Sequence, residues 1–238
     1  MKKLFPLLLV LVTILSQRCN TLKKLGAAPT ELEMIMALKE ALSSGLFKSF
    51  EAFENPEGDP LVRFVFPGEA VKIEKTLRDL GLDQLVERVT GKFTRAMTSA
   101  VRTSKPLFID AIKKMTVKDA AGILITDNPH AATDYFKKEM KSGLLTAFRP
   151  VVDSTIKLEG TEQEWRNITS VYNSIPFIRP LETNLTDFVS ARVVDVMFLV
   201  IANEEAQIRA KYELRKTDLM KKVFTWAERE LKKKLQTR

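Results

Sequence analysis

Cysteine and histidine are almost missing from this sequence: Cys19 and His130 are the single examples among 238 residues. One cysteine cannot close an internal disulfide, so stability has to come from burial. Zinc sites built from His and Cys clusters are excluded by count, and the Glu-x-x-His pairs of di-iron bundles do not occur. A Ser-His-Asp arrangement would have to use His130, yet no Gly-x-Ser-x-Gly elbow supplies its serine. Glycine is sparse as well, with nine residues, and there is no Gly-x-Gly-x-x-Gly fingerprint, P-loop or EF-hand loop. Neither a cofactor nor a metal is expected. Carboxylate chemistry is the catalytic class that remains.

Long apolar runs are also few. The first, Leu4 to Leu15, follows Lys2 and Lys3. Twelve residues are too few to span about 30 Å of hydrocarbon as a helix, but they suit the apolar region of a secretory signal. Residues 1–19 are therefore expected to be a signal peptide, and the chain to be exported to the periplasm, the cell envelope or the outside. Cys19 stands where a lipoprotein would carry its acylated cysteine, although Ser16, Gln17 and Arg18 before it fit a processing site poorly. The other apolar run, Val193 to Ala202, is shorter and interrupted by Asp195.

What the sequence does have is helical periodicity. Strand runs joined by hairpin signals are missing, and apolar residues recur at spacings of three and four. Thr30 and Glu33 form a capping signature ahead of Leu32, Ile35, Leu38, Leu42, Leu46 and Phe50. A helix from Gly68 ends at Gly81, and another follows with Leu85, Val89, Phe93, Met97 and Val101. Ser104 and Pro106 are expected to open a new helix, Thr116 with Asp119 another, and Thr161 with Glu164 repeats the capping signature. The segment from Leu185 to about Arg209 is apolar on nearly all sides and should be central. The fold class expected is all-α: a single helical-bundle-like domain of about eight or nine helices over 20–238, ending in a basic amphipathic helix over 217–236.

Charge is concentrated at that end. The total is +8, and from Arg209 onward eleven Lys or Arg face four Asp or Glu. The high isoelectric point thus belongs to the C-terminus rather than to the fold.

Several runs stand together in order: FIDAIKKMTVKDAAGIL, AATDYF, FRPVV, ANEEAQIR and RKTDLMKKVF. With them the chain resembles the bacterial family catalogued as domain of unknown function 4197, from roughly Thr21 to Phe224. The resemblance implies an exported helical protein and supplies no catalytic residue, substrate or cofactor to transfer. His130 falls in ITDNPH, where the family tends to have a Gly-rich or acidic turn, and WAERELKKKLQTR extends past the shared region.

Four groups of residues are the site candidates. His130, after Asn128 and Pro129, reads as the exposed start of a helix, whose free N–H groups could bind an anion. Glu204, Glu205 and Arg209, joined by Asp218, are the set a carboxylate enzyme would use, and an i,i+4 salt bridge with a solvated helix end is the simpler reading. Asp195 has to be paired, with Arg192 or Arg215 as the partners within reach, or protonated, or turned to a narrow wet face of its helix, which is the simpler reading. Lys221, Lys222, Trp226, Lys232, Lys233 and Lys234 suit contact with a ligand or an anionic membrane surface. If the apolar stripe of their helix docks on the body, they are its solvated face. The leading expectation is an exported non-enzymatic helical binding or structural module of unknown ligand, with an apolar ligand or a membrane surface as its candidate targets. The alternative is a carboxylate-based hydrolytic or metal-dependent enzyme. Nucleic acid is disfavoured, because export removes the usual targets and aromatic platforms are not interleaved with the charge.

Overall fold

A computed structural model describes residues 28–56, 62–63, 70–158, 160–176 and 184–237. The expected signal peptide, Gly68, and all of the LVRFVFP connection except Val62 and Arg63 lie outside the described residues. Among the described residues there are eight α-helices, one 3₁₀ turn and no strand. The all-α expectation holds.

Helix α1 (Glu31–Glu54) begins as its capping box requires: Glu33 N donates to Thr30 Oγ1 at 3.2 Å and Thr30 N to the Glu33 carboxylate at 2.8 Å. Leu38, Leu42, Leu46 and Phe50 are buried as the stripe predicts, but Leu32 is 66% exposed. The buried face is rotated toward Ala37, Ala41, Gly45 and Ser49, small residues at every fourth position. They allow close approach to the central helix: Ser49 Oγ donates to Gly45 O at 2.9 Å and to Met197 O at 3.3 Å. Leu32 is carried outward by this rotation.

Helix α2 (Ala70–Asp79) ends in a paired 6→1 and 5→2 closure, Leu82 N to Leu77 O and Gly81 N to Arg78 O, with Gly81 at φ 75°. Helix α3 (Asp83–Lys114) then runs straight through Pro106, where a new helix was expected. Proline removes one backbone donor, but Pro106 and the Arg102 whose carbonyl loses it are both exposed to water. On the opposite side Val101, Ser104, Phe108 and Ile112 form one unbroken buried stripe, which holds the helix together across the gap.

The remaining elements are α4 (Ala120–Leu124), α5 (Ala131–Leu158), α6 (Thr161–Asn173), α7 (Leu185–Ala210), a 3₁₀ turn (Tyr212–Leu214) and α8 (Asp218–Gln236). Asp119, Asn184 and Thr217 cap α4, α7 and α8 through their side chains. The expected capping pair of α6 does not form. Gly160, at φ 61°, occupies the cap, Thr161 is the first helical residue with a buried, unpartnered hydroxyl, and Glu164 is drawn across to Lys92 of α3 at 3.1 Å.

Helix α7 is central, packed between α1 and α5, while α3 covers α5 and α1. Its Val193, Val194, Val196, Met197, Phe198 and Ile201 are all buried. Helix α8 lays Met220, Val223, Phe224 and Ala227 on the body, mainly on α1. No helix among the described residues is long and apolar enough to cross a membrane.

The edge of the α1–α8 contact carries a pH dependence. Lys222 donates to Glu33 at 2.6 Å, and this hydrogen bond holds the Glu33 carboxyl below its usual value; away from α1, Lys232 of α8 itself, and then Arg215, do the same for Glu228. A depressed folded-state pKa gives stability present above the unfolded value, about 4.3 for Glu, and lost as pH falls through the folded value. Docking of α8 should therefore weaken below about pH 4.3. The fluorescence of Trp226 in a Trp165→Phe background, followed from neutral to acid pH, should report the change, and Lys222→Met should reduce its pH dependence.

Candidate functional site

The loop between α4 and α5 is organised by short-range polar contacts. Asn128 N donates to Thr126 Oγ1 at 3.2 Å, His130 N to Asn128 Oδ1 at 2.9 Å, and Asn128 Nδ2 to Asp134 at 2.9 Å. Asn128 thus shapes the turn before the helix, and regular α5 starts three residues later than Asn128, at Ala131. His130 is not the exposed helix start expected of it. It is half-buried, with Nδ1 3.1 Å from the carbonyl oxygen of Ala202 on α7. A carbonyl only accepts, so the ring proton belongs on Nδ1.

The N–H groups that an external anion would use are occupied. Glu205, fully buried on α7, accepts from Ala132 N at 2.9 Å, Thr133 N at 2.7 Å and Thr133 Oγ1 at 2.7 Å, and from Arg209 Nε at 2.8 Å. Two donors fall on each oxygen, which saturates a carboxylate. Arg209 in turn donates to Leu124 O at 3.2 Å and Ile123 O at 2.9 Å, at the end of α4. The pair therefore places a negative group at the start of α5 and a positive one at the end of α4, each matching the local helix dipole. The expected i,i+4 bridge is present, but at a buried junction of three helices rather than a solvated end.

The rest of the carboxylate set does not join it. Glu204 is buried and accepts from Ser44 Oγ of α1 at 3.0 Å. Asp218 is fully exposed in the first turn of α8, 3.6 Å from Lys221. Asp195 lies on the wet face of α7 as expected; its ion pairs are with Lys141 at 2.6 Å and Lys137 at 3.8 Å, both on α5, while Arg192 feels its charge without forming an ion pair. Helix α5 packs along that side of α7, which brings its lysines within reach. Arg215 is buried elsewhere, donating to Ile208 O, Arg209 O, Thr225 Oγ1 and Glu228 and so closing the end of α7. Among the described residues no group of three or more His, Cys, Asp or Glu is placed to hold a metal ion.

On α8, Lys222 is committed to Glu33, Lys232 pairs with Glu228 at 2.9 Å, and Lys233 with Glu230 at 2.8 Å. Trp226 packs partly buried against the core, and Lys234 is exposed.

A concavity lies elsewhere. Between the outer side of α1 and the start of α8 an open groove of about 480 Å³ is lined by Met36, Phe47 and Met220, with Lys39 and Lys216 among its polar residues. Met36 is 48% and Phe47 55% exposed. The Phe47 ring is set edge-on against Phe50 at 6.1 Å. These residues were not among the candidates, although a signal exists: Met36 and Phe47 lie three helical turns apart, off the buried stripe. A smaller cleft of about 250 Å³ runs under the α4–α5 loop, between Leu124, Pro129, Arg209, Phe224 and Leu231.

A family model described as "Protein of unknown function (DUF4197)" matches residues 28–225. The chain belongs to the DUF4197 family. The matched stretch of this DUF4197 protein includes the Glu205–Arg209 junction, Arg215 and the whole α1–α8 groove, and excludes Lys232, Lys233 and Lys234. No curated protein and no solved structure matches the chain.

Proposed function

We propose that this chain is an exported, non-enzymatic binding module that holds an apolar ligand in the groove between α1 and α8. The observation that carries this reading is the groove itself, where Met36 and Phe47 stay about half exposed beside Met220. Methionine and aromatic side chains supply apolar surface that adapts to varied partners. The use of Glu205, Glu204 and Arg209 as buried structural ties argues in the same direction, since a general acid or base has to reach substrate. Export rests on Lys2, Lys3 and the apolar run Leu4 to Leu15, and N-terminal sequencing of protein recovered from its host would test it by locating the cleavage.

The binding test uses Nile red, an uncharged polarity-sensitive dye. Wild-type protein should enhance its emission, and Phe47→Glu should remove most of that enhancement while leaving the helical circular dichroism intact. Equal enhancement by both proteins would refute the groove as the binding surface.

A further inference from the structure

We propose that the ligand of the α1–α8 groove is a single-chain amphiphile with an anionic head, a long-chain carboxylate. This rests on the binding reading above and specifies its ligand class. The shape of the groove sets the tail. Met36 and Phe47 are eleven residues apart on α1, which at about 1.5 Å per residue sets two apolar ends roughly 16 Å apart, with Lys39, Glu40, Ser43 and Ser44 lining α1 between them. That length suits one extended acyl chain. Met220 of α8, itself buried, also lines the groove.

The charge of the rim sets the head. Most polar groups lining the groove are already engaged. Thr217 Oγ1 donates to Glu40 at 2.6 Å, Lys39 Nζ to Lys113 O at 2.7 Å, and Ser44 Oγ to Glu204 at 3.0 Å. Lys216 is different: it is exposed at the rim and its ammonium has neither a hydrogen bond nor an ion pair among the described residues. Glu40, the one carboxylate lining the groove, is held by Thr217. The lining carries two cations, Lys39 and Lys216, against the single carboxylate of Glu40, whose charge the Thr217 hydroxyl does not cancel, so the rim keeps one net positive charge, and a carboxylate head complements it.

The test titrates the purified protein with myristate and with the uncharged myristyl alcohol, each read by displacement of Nile red, for wild type, Lys216→Glu, Phe47→Glu and Met36→Glu. All three positions are exposed, so the variants should fold, and circular dichroism checks that they do. Wild type should favour myristate over the alcohol by about tenfold, the scale of one charge-assisted contact at a wet rim. Lys216→Glu should erase that preference and leave the alcohol unchanged, while Phe47→Glu and Met36→Glu should remove both. If myristate and alcohol bind equally and both are lost in Phe47→Glu, the anionic head is wrong and the apolar groove stands. If the dye itself does not bind wild type, both readings fall. Sedimentation with phosphatidylglycerol vesicles, or a concentration-dependent dimer in native mass spectrometry, either one abolished by Phe47→Glu and without myristate binding, would replace the proposed ligand by a membrane surface or a second copy.

Discussion

Glu205→Ala should cost about 3–5 kcal/mol of stability, the usual penalty for removing one partner of a buried, hydrogen-bonded ion pair. The reason lies in what is left behind. Ala132 N–H, Thr133 N–H and the Thr133 hydroxyl lose their acceptor at the start of α5, and Arg209 becomes a largely buried cation left with two carbonyls and the face of Phe224. Each orphaned donor costs about 1–3 kcal/mol when water cannot replace the acceptor. Domains are stable by only about 5–15 kcal/mol, so a large share of the total is at stake. At about 2–4 °C per kcal/mol for a chain of this size, Tm should fall by roughly 6–20 °C. Chemical denaturation at neutral pH measures the loss directly. A double variant, Glu205→Leu with Arg209→Met, should lose less than the sum of the two single changes, because no unpaired charge remains. A loss below about 1 kcal/mol for Glu205→Ala would show that water enters the junction and that Glu205 is available to ligands after all.

The same residues mark the boundary of what sequence reasoning reaches. The start of α1 was legible because Thr30 and Glu33 are three residues apart and their contact is made within one turn. The central position of α7 was legible because an all-round apolar helix can be satisfied only inside. The role of Glu205 was half legible. Its pairing with Arg209 follows from i,i+4 spacing, but its bonds to Ala132 and Thr133 join residues more than seventy positions apart, which no local pattern encodes. The misread positions share a cause. Pro106, Thr161 and His130 each carry a strong local preference that packing overrides: Pro106 by the stripe on the far side of α3, Thr161 by the pull of Lys92 on Glu164, His130 by its contact with α7. The groove escaped notice because it is defined by α1 and α8 together, and the periodicity of one helix cannot tell a face that is covered by a neighbour from one that is not.

Gly45→Leu should cost about 3 kcal/mol or more, by forcing apart the two helices at the centre of the fold. A Cβ placed on Gly45 would lie 2.7 Å from Ile201 Cα and 3.1 Å from Ile201 O, so the obstacle is the backbone of α7, which cannot rotate away. Alanine is the sharper test of this argument, because two effects of similar size oppose each other. Replacing glycine by alanine in a helix interior gains up to about 1 kcal/mol from propensity, whereas overpacking a close-packed core costs about 1–3 kcal/mol. With a contact this short the steric term should win, and Gly45→Ala should destabilise by about 1–2 kcal/mol. Gly143 on α5 supplies the control, since it too is helical, is exposed, and a Cβ there would meet nothing within 4 Å. Gly143→Ala should accordingly stabilise by up to about 1 kcal/mol. Urea denaturation of the two alanine variants isolates the packing contribution as the difference between them. Shifts of the same sign and size would mean that α1 and α7 are not held at the close approach on which Ser49 and its bond to Met197 also depend.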